Sequence, residues 1–202
     1  MADITAAMVM KLRDETGLPM MECKKALQDS QGDFELAKQR ARESGKKIMA
    51  MRQDRSTEEG RLAVYASLKP PVGAMIELQV ESAPVAKHED VIALANDLAK
   101  QLATGPGAKT PDELWKQPAP SRKGTTLGQW KDELEGKMRE VFRLTRIERV
   151  NSASGGYVHH DAKSGVLIEV EGGNDDLAKN VAMHVAAMKP KSTTTADLDP
   201  SL

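Results

Sequence analysis

Residues 74–103 read "AMIELQVESAPVAKHEDVIALANDLAKQLA", and the apolar period changes in the middle of this stretch. Ile76, Leu78 and Val80 alternate with polar neighbours, as one face of a half-buried strand does. Val91, Leu94, Ala95, Leu98 and Leu102 recur at helical spacing. The spacing predicts a strand that runs into a helix from about Val85 to Ala103. Pro84 fits the first helical turn, where its missing N–H is no loss. A corner of this kind, "ESAPVAKHED" over 81–90, is either a plain connection or a projecting tip that presses on a partner.

Working outward, "RLAVYASL" over 61–68 alternates Leu62, Val64, Ala66 and Leu68, and "KPPVG" over 69–73 is a turn signal. Together with the strand at 74–80 this is an antiparallel hairpin. Downstream, Thr110 caps a short helix, and "QPAPSRKG" over 117–124 is a loop. Leu127, Trp130, Leu134, Met138 and Val141 mark another helix. A strand at 144–152 leads through "ASGG", 153–156, into "YVHHDAKSGVLIEV", 157–170, a second strand pair. Asn174 caps a last helix with a predicted buried stripe of Leu177, Val181, Val185 and Met188, ended by Lys189 and Pro190.

The first 45 residues read as three short helices. Thr5 caps the first, with Ile4 and Val9 as a hydrophobic staple, and Gly17 stops it. Pro19 starts the second, with an inner stripe of Met20, Cys23 and Leu27, and Gly32 ends it. Asp33 caps the third, which buries Phe34, Ala37 and Ala41 until Gly45 closes it. The chain therefore divides into a helical head at 1–46, a charged linker at 47–60, a core at 61–190 and a polar tail at 191–202. The fold class is α+β, with an antiparallel sheet and packed helices.

Lys+Arg number 29 and Asp+Glu 30, a balance that argues against a direct nucleic-acid binder. No apolar run approaches the length of a membrane span, and the N-terminus has no continuous apolar core of a signal peptide. The single cysteine, Cys23, excludes an internal disulfide and fits a reducing, cytoplasmic location. With 3% aromatic residues and 11 Met, the core must be aliphatic and Met-rich. No phosphate-cradling glycine motif or paired CxxC occurs. His159, His160 and Asp161 are the one cluster of metal-ligand types, but adjacent strand residues point to opposite faces, and a surface turn explains them better. His184 reads as a half-buried, hydrogen-bonded histidine and Cys23 as an inert core thiol. No catalytic residue, cofactor or metal is expected. The residues alone predict a protein that works through its contact surfaces.

One stretch carries a more specific signal. "LRDETGLPMMECKKALQDSQGDFELAKQRARESG", 12–45, resembles the elongation factor Ts family, as do "YVHHDAKSGVLIEVEGGNDDLAKNVAMHVAAMKP", 157–190, and the "VAKHED" that opens the core helix. The likeness spans about residues 2–190 and is poor around 105–136. It implies a ubiquitin-associated-like head and a guanine-nucleotide exchange factor for elongation factor Tu. The factor would be no enzyme: it binds the GDP-bound or nucleotide-free GTPase and disturbs the Mg²⁺ and phosphate site. By resemblance, the partner-binding residues are Leu12, Arg13, Met20 and Met21 in the head, Ser82, Ala83, Pro84 and Val85 at the tip, and His159 and His160.

The tip departs from the family, which usually reads Thr-Asp-Phe-Val-Ala where this chain has Ser82 to Ala86. The acidic residue and the aromatic anchor are replaced by Ala83 and Pro84. Two readings follow: exchange with a blunter tip, or a non-exchanging binder that acts as an adaptor or chaperone. Long family members also continue into a second core half. The surface that would cover the last helix is then supplied by self-association, or the sequence is a fragment or a short form.

Overall fold

The computed structural model describes residues 4–198. The last four residues of the expected polar tail lie outside the described residues. Helices α1 (Ala6–Thr16), α2 (Met20–Asp29) and α3 (Phe34–Ala50) form the head. Thr5 Oγ1 accepts from Met8 N at 3.3 Å, Asp33 Oδ1 from Leu36 N at 3.0 Å, and Gly17 ends α1 at φ +68°. Each cap satisfies backbone groups that a helix end otherwise leaves open. Val9, Leu12, Leu18, Cys23, Ala26, Leu27, Ala37 and Ala41 make a small separate core. Met20 is 39% exposed, so the inner stripe of α2 is Cys23, Ala26 and Leu27, without the predicted methionine.

Gly45 does not close α3, which runs on to Ala50 through the start of the expected linker. The reason is tertiary. Leu18 Cδ2 sits 3.7 Å from where a Cβ would stand on Gly45, and equally 3.7 Å from that of Gly136 on α7 (Leu127–Met138). Two glycines let α3 and α7 approach around one buried leucine, against the weak helix propensity of glycine. Ion pairs Arg42–Glu133 (3.2 Å) and Arg139–Glu22 (2.6 Å) span the same seam. The rest of the linker is also held. Arg52 Nη1 donates to Arg139 O at 2.9 Å, and Thr57 is buried.

The core contains strands β1 (Glu59–Ser67), β2 (Val72–Val80) and β3 (Arg143–Val150) in one antiparallel sheet of order β1-β2-β3. The strand expected to lead into the second pair thus joins the first hairpin instead. Strands β4 (Ser154–Val158) and β5 (Gly165–Glu169) form a separate hairpin that includes Ser154, Gly155 and Gly156, residues expected to form a link.

Helix α5 (Glu89–Thr104) covers one face of the sheet, where Ala63, Ile76, Leu78 and Val80 meet fully buried Val91, Leu94, Leu98 and Leu102. Each such burial is worth about 1.5–3 kcal/mol against exposure, so this contact dominates the core. The stripe of Leu62, Val64 and Ala66 lies on the opposite face. A Cβ on Gly156 would stand 2.6 Å from Val64 Cγ2, and one on Gly165 2.3 Å from Met75 Cε, so the β4–β5 hairpin packs there through glycine. A short helix α6 (Pro111–Trp115), capped by Thr110, precedes α7, and helix α8 (Asp175–Met188) forms the outermost layer, capped by Asn174 as expected.

The expected buried stripe of α8 is not buried. Leu177 is 55% exposed, Val181 43% and Met188 67%, while Ala178 and Ala182 face the hairpin. A Cβ on Gly155 would stand 2.6 Å from Ala178 O; the approach is close enough that only small residues fit beneath the helix. His184 is exposed rather than half-buried. Among the described residues no helix is long and apolar enough to cross a membrane.

Candidate functional site

Strand β2 ends in the strand-to-helix corner at residues 81–90. The single predicted helix is two: a one-turn helix α4 (Ala83–Ala86), then α5 starting afresh at Glu89 with His88 as its cap. His88 Nδ1 accepts from Asp90 N at 3.2 Å. Pro84 lies in the first turn of α4 and is exposed, whereas Val85 packs on the core and Ala86 is buried. One wall of this tip faces solvent and the other is fastened down.

The fastening comes from far along the chain. Glu140, between α7 and β3, accepts from Glu81 N at 3.1 Å and Ser82 N at 3.0 Å through Oε2, and from the Ser82 hydroxyl through Oε1. Glu81 returns the exchange: its Oε1 accepts from Val141 N at 2.9 Å, and its Oε2 pairs with Arg55 at 3.0 Å. Charge-assisted bonds of this kind are about twice as strong as neutral ones. At the other end of α4, Arg61 Nη1 donates to Ala86 O at 2.9 Å.

Arg61 also lines a cavity of about 280 Å³ with Leu62, Val64, Asn96, His159 and His160. The tip and the histidine pair therefore adjoin across Arg61. His159 and His160 lie in the turn after β4, not on a strand, with ring centroids 4.1 Å apart. His159 Nδ1 lies 3.1 Å from the Tyr157 hydroxyl. Asp161 is held by its own turn, accepting from Lys163 N at 2.8 Å, a bond that lowers its carboxyl below the ordinary range. Among the described residues no group of three or more His, Cys, Asp or Glu could hold a metal ion.

On the head, Arg13 and Met21 are exposed, Met21 by 74%. Leu12 is wholly buried in the head core, so it cannot present a contact surface; it sets the position of Arg13 beside it. Burial raises the Cys23 thiol above its ordinary range and keeps it unreactive. Head and tip are linked through three consecutive residues, since Arg139 pairs with Glu22 of α2, Glu140 holds Ser82, and Val141 N bonds Glu81. A second cavity, of about 990 Å³ between the head and α7, has four ion pairs in its lining: Lys38–Glu15, Arg42–Glu133, Arg122–Glu133 and Lys137–Asp90. It reads as an internal seam.

Sequence reasoning missed Glu140, Glu81 and Arg61. Nothing local marks them, because Glu140 and Glu81 bond across 58–60 residues, and Arg55–Glu81 and Arg61–Ala86 across 26 and 25.

Comparison with known proteins bears on the same region. The family model described as "Elongation factor TS" matches residues 81–202, beginning at the tip itself. "Elongation factor Ts" of Azoarcus sp. strain BH72 is 39% identical over the whole chain, which covers 67% of that protein. The protein of the same name from Methylococcus capsulatus is 38% identical over 93% of this chain and 64% of its own length. That from Arthrospira platensis is 36% identical over the whole chain and 81% of its own length. The family model's coverage and these identities together establish that the chain belongs to the elongation factor Ts family, the translation elongation factors.

Proposed function

We propose that the chain binds elongation factor Tu in the cytoplasm and promotes release of GDP, with no covalent chemistry and no cofactor of its own. The head, residues 1–46, docks through Arg13, Met20 and Met21, and the core, residues 61–190, applies the tip Ser82–Val85 with His159 and His160 beside it. The observation that carries this reading is the tip: a solvent-facing, externally clamped one-turn helix at the end of the central strand. A rigid apolar projection spends little conformational entropy on binding. Pro84 adds stiffness where the family's phenylalanine adds bulk.

Exchange follows from linkage. A factor that binds the nucleotide-free GTPase better must weaken GDP binding by the same ratio. The tip would act by disturbing the Mg²⁺ and phosphate region of the GTPase. The test is release of a fluorescent GDP from elongation factor Tu with and without this chain. Faster release is expected; unchanged release from a demonstrable complex would make the chain a non-exchanging binder.

The apolar face of α8 supports self-association through a second copy. Leu177, Val181 and Met188 at helical spacing would cover their counterparts across a two-fold axis.

A further inference from the structure

We propose that Glu140 is a positioning residue for the exchange tip, fixing the conformation in which Ala83 and Pro84 meet the GTPase, with Arg61 as its counterpart at the far end. This rests on the exchange reading above. A helix of four residues has no stability of its own, because nucleation fixes several residues for one backbone bond. Its shape is therefore imposed from outside. Ser82 occupies the N-cap position of α4, yet its side chain makes no capping bond. The hydroxyl turns instead to Glu140, and the same carboxylate takes the amides of Glu81 and Ser82. A local cap has been exchanged for a remote carboxylate with three donors.

Glu140 has no other employment, since among the described residues it forms no ion pair. Arg61 is arranged in the same way. It is half-buried, burial alone lowers its pKa, and among the described residues no carboxylate faces it. Among the described residues its one side-chain hydrogen bond goes to Ala86 O, while Nε has no acceptor. A cation desolvated at a cost and given to a single carbonyl at the end of the tip is placed for that carbonyl. The tip is pinned at both ends, and Ala83 and Pro84 lie between the pins.

The experiment measures GDP release from elongation factor Tu as a function of factor concentration for the native chain, Glu140→Ala, Glu140→Gln and the exposed control Glu148→Ala. The half-saturating concentration, set largely by the head, should barely move in Glu140→Ala, while the maximal release rate falls by about tenfold or more. Glu140→Gln keeps an oxygen acceptor and should recover part of the rate; Glu148→Ala should match the native chain. A merely structural role would shift thermal stability, half-saturation and rate together, with no recovery by glutamine. A maximal rate for Glu140→Ala within about twofold of native would overturn the assignment.

Native chain that leaves GDP release unchanged defeats the exchange reading instead. Hydrogen exchange at the Glu81 and Ser82 amides then decides the positioning role. Loss of protection in Glu140→Gln or Glu140→Ala supports it, and full protection in both contradicts it.

Discussion

Helix α5 buries Val91, Leu94, Leu98 and Leu102 completely, whereas α8 leaves Leu177, Val181 and Met188 in solvent. Both helices show an apolar stripe at the same spacing, and both are capped as their sequences require. The difference lies in what the hairpin under α8 permits. Gly155 and Gly156 let the β4–β5 pair sit tightly between the sheet and α8, and that closeness suits Ala178 and Ala182 better than leucine. Helix α8 therefore turns its small residues inward and its large ones outward. Periodicity identifies an apolar face; the partner of that face is a separate matter.

The largest effect expected from this contrast is at Leu98. Leu98→Ala should lower stability by about 2–5 kcal/mol, measured by urea unfolding, because the surrounding α5–sheet contact cannot collapse around the loss. Next comes Ala182→Leu under the other helix, where overpacking should cost about 1–3 kcal/mol. A smaller loss than at an exposed site would mean that α8 slides freely on its hairpin.

A third test uses charge within the α5–α7 layer. Glu135 is buried, and although it accepts from Phe142 N at 2.8 Å, desolvation raises its carboxyl above the ordinary 4.5. A raised folded value means the protonated form is favoured. The stability it contributes is complete below 4.5 and is lost as pH rises through the higher folded value. Glu135→Gln should thus be more stable than the native chain at pH 7, with the gap closing as pH falls towards 4.5. Asp90 acts in the opposite sense: its hydrogen bond from Lys137 lowers its carboxyl below 3.8, so its contribution is present above that pH and fades below it.

The smallest effect is expected on the outer face of α8. Leu177→Ala with Val181→Ala should change the stability of the isolated chain by no more than about 0.5 kcal/mol, since little buried contact is lost. The same pair should shift sedimentation towards monomer. Unaltered association would move the self-contact elsewhere.

What was legible in the sequence follows the range of the interaction. Thr5, Asp33, Thr110 and Asn174 were readable as caps because each bonds an amide three residues on. The α5 stripe was readable because its apolar residues recur at helical spacing and that whole face is covered by the sheet. Gly45 was misread as a stop because the need for close approach comes from Leu18 and α7, not from its neighbours. The α4–α5 break escaped because Val85 and Ala86 continue the apolar rhythm, while the bonds that define the turn come from Glu140 and Arg61. Of the proposed site, Pro84, Arg13 and Met21 came from the resemblance, and all three are exposed in the structure. Leu12 proved to be core, and the clamp was invisible.

The most direct test of exchange by differential binding is calorimetric titration of this chain into elongation factor Tu, with GDP saturating and with nucleotide removed. Linkage requires tighter binding to the nucleotide-free form, by the same ratio in which the chain weakens GDP. Equal affinity for the two forms would contradict it, however tight the complex.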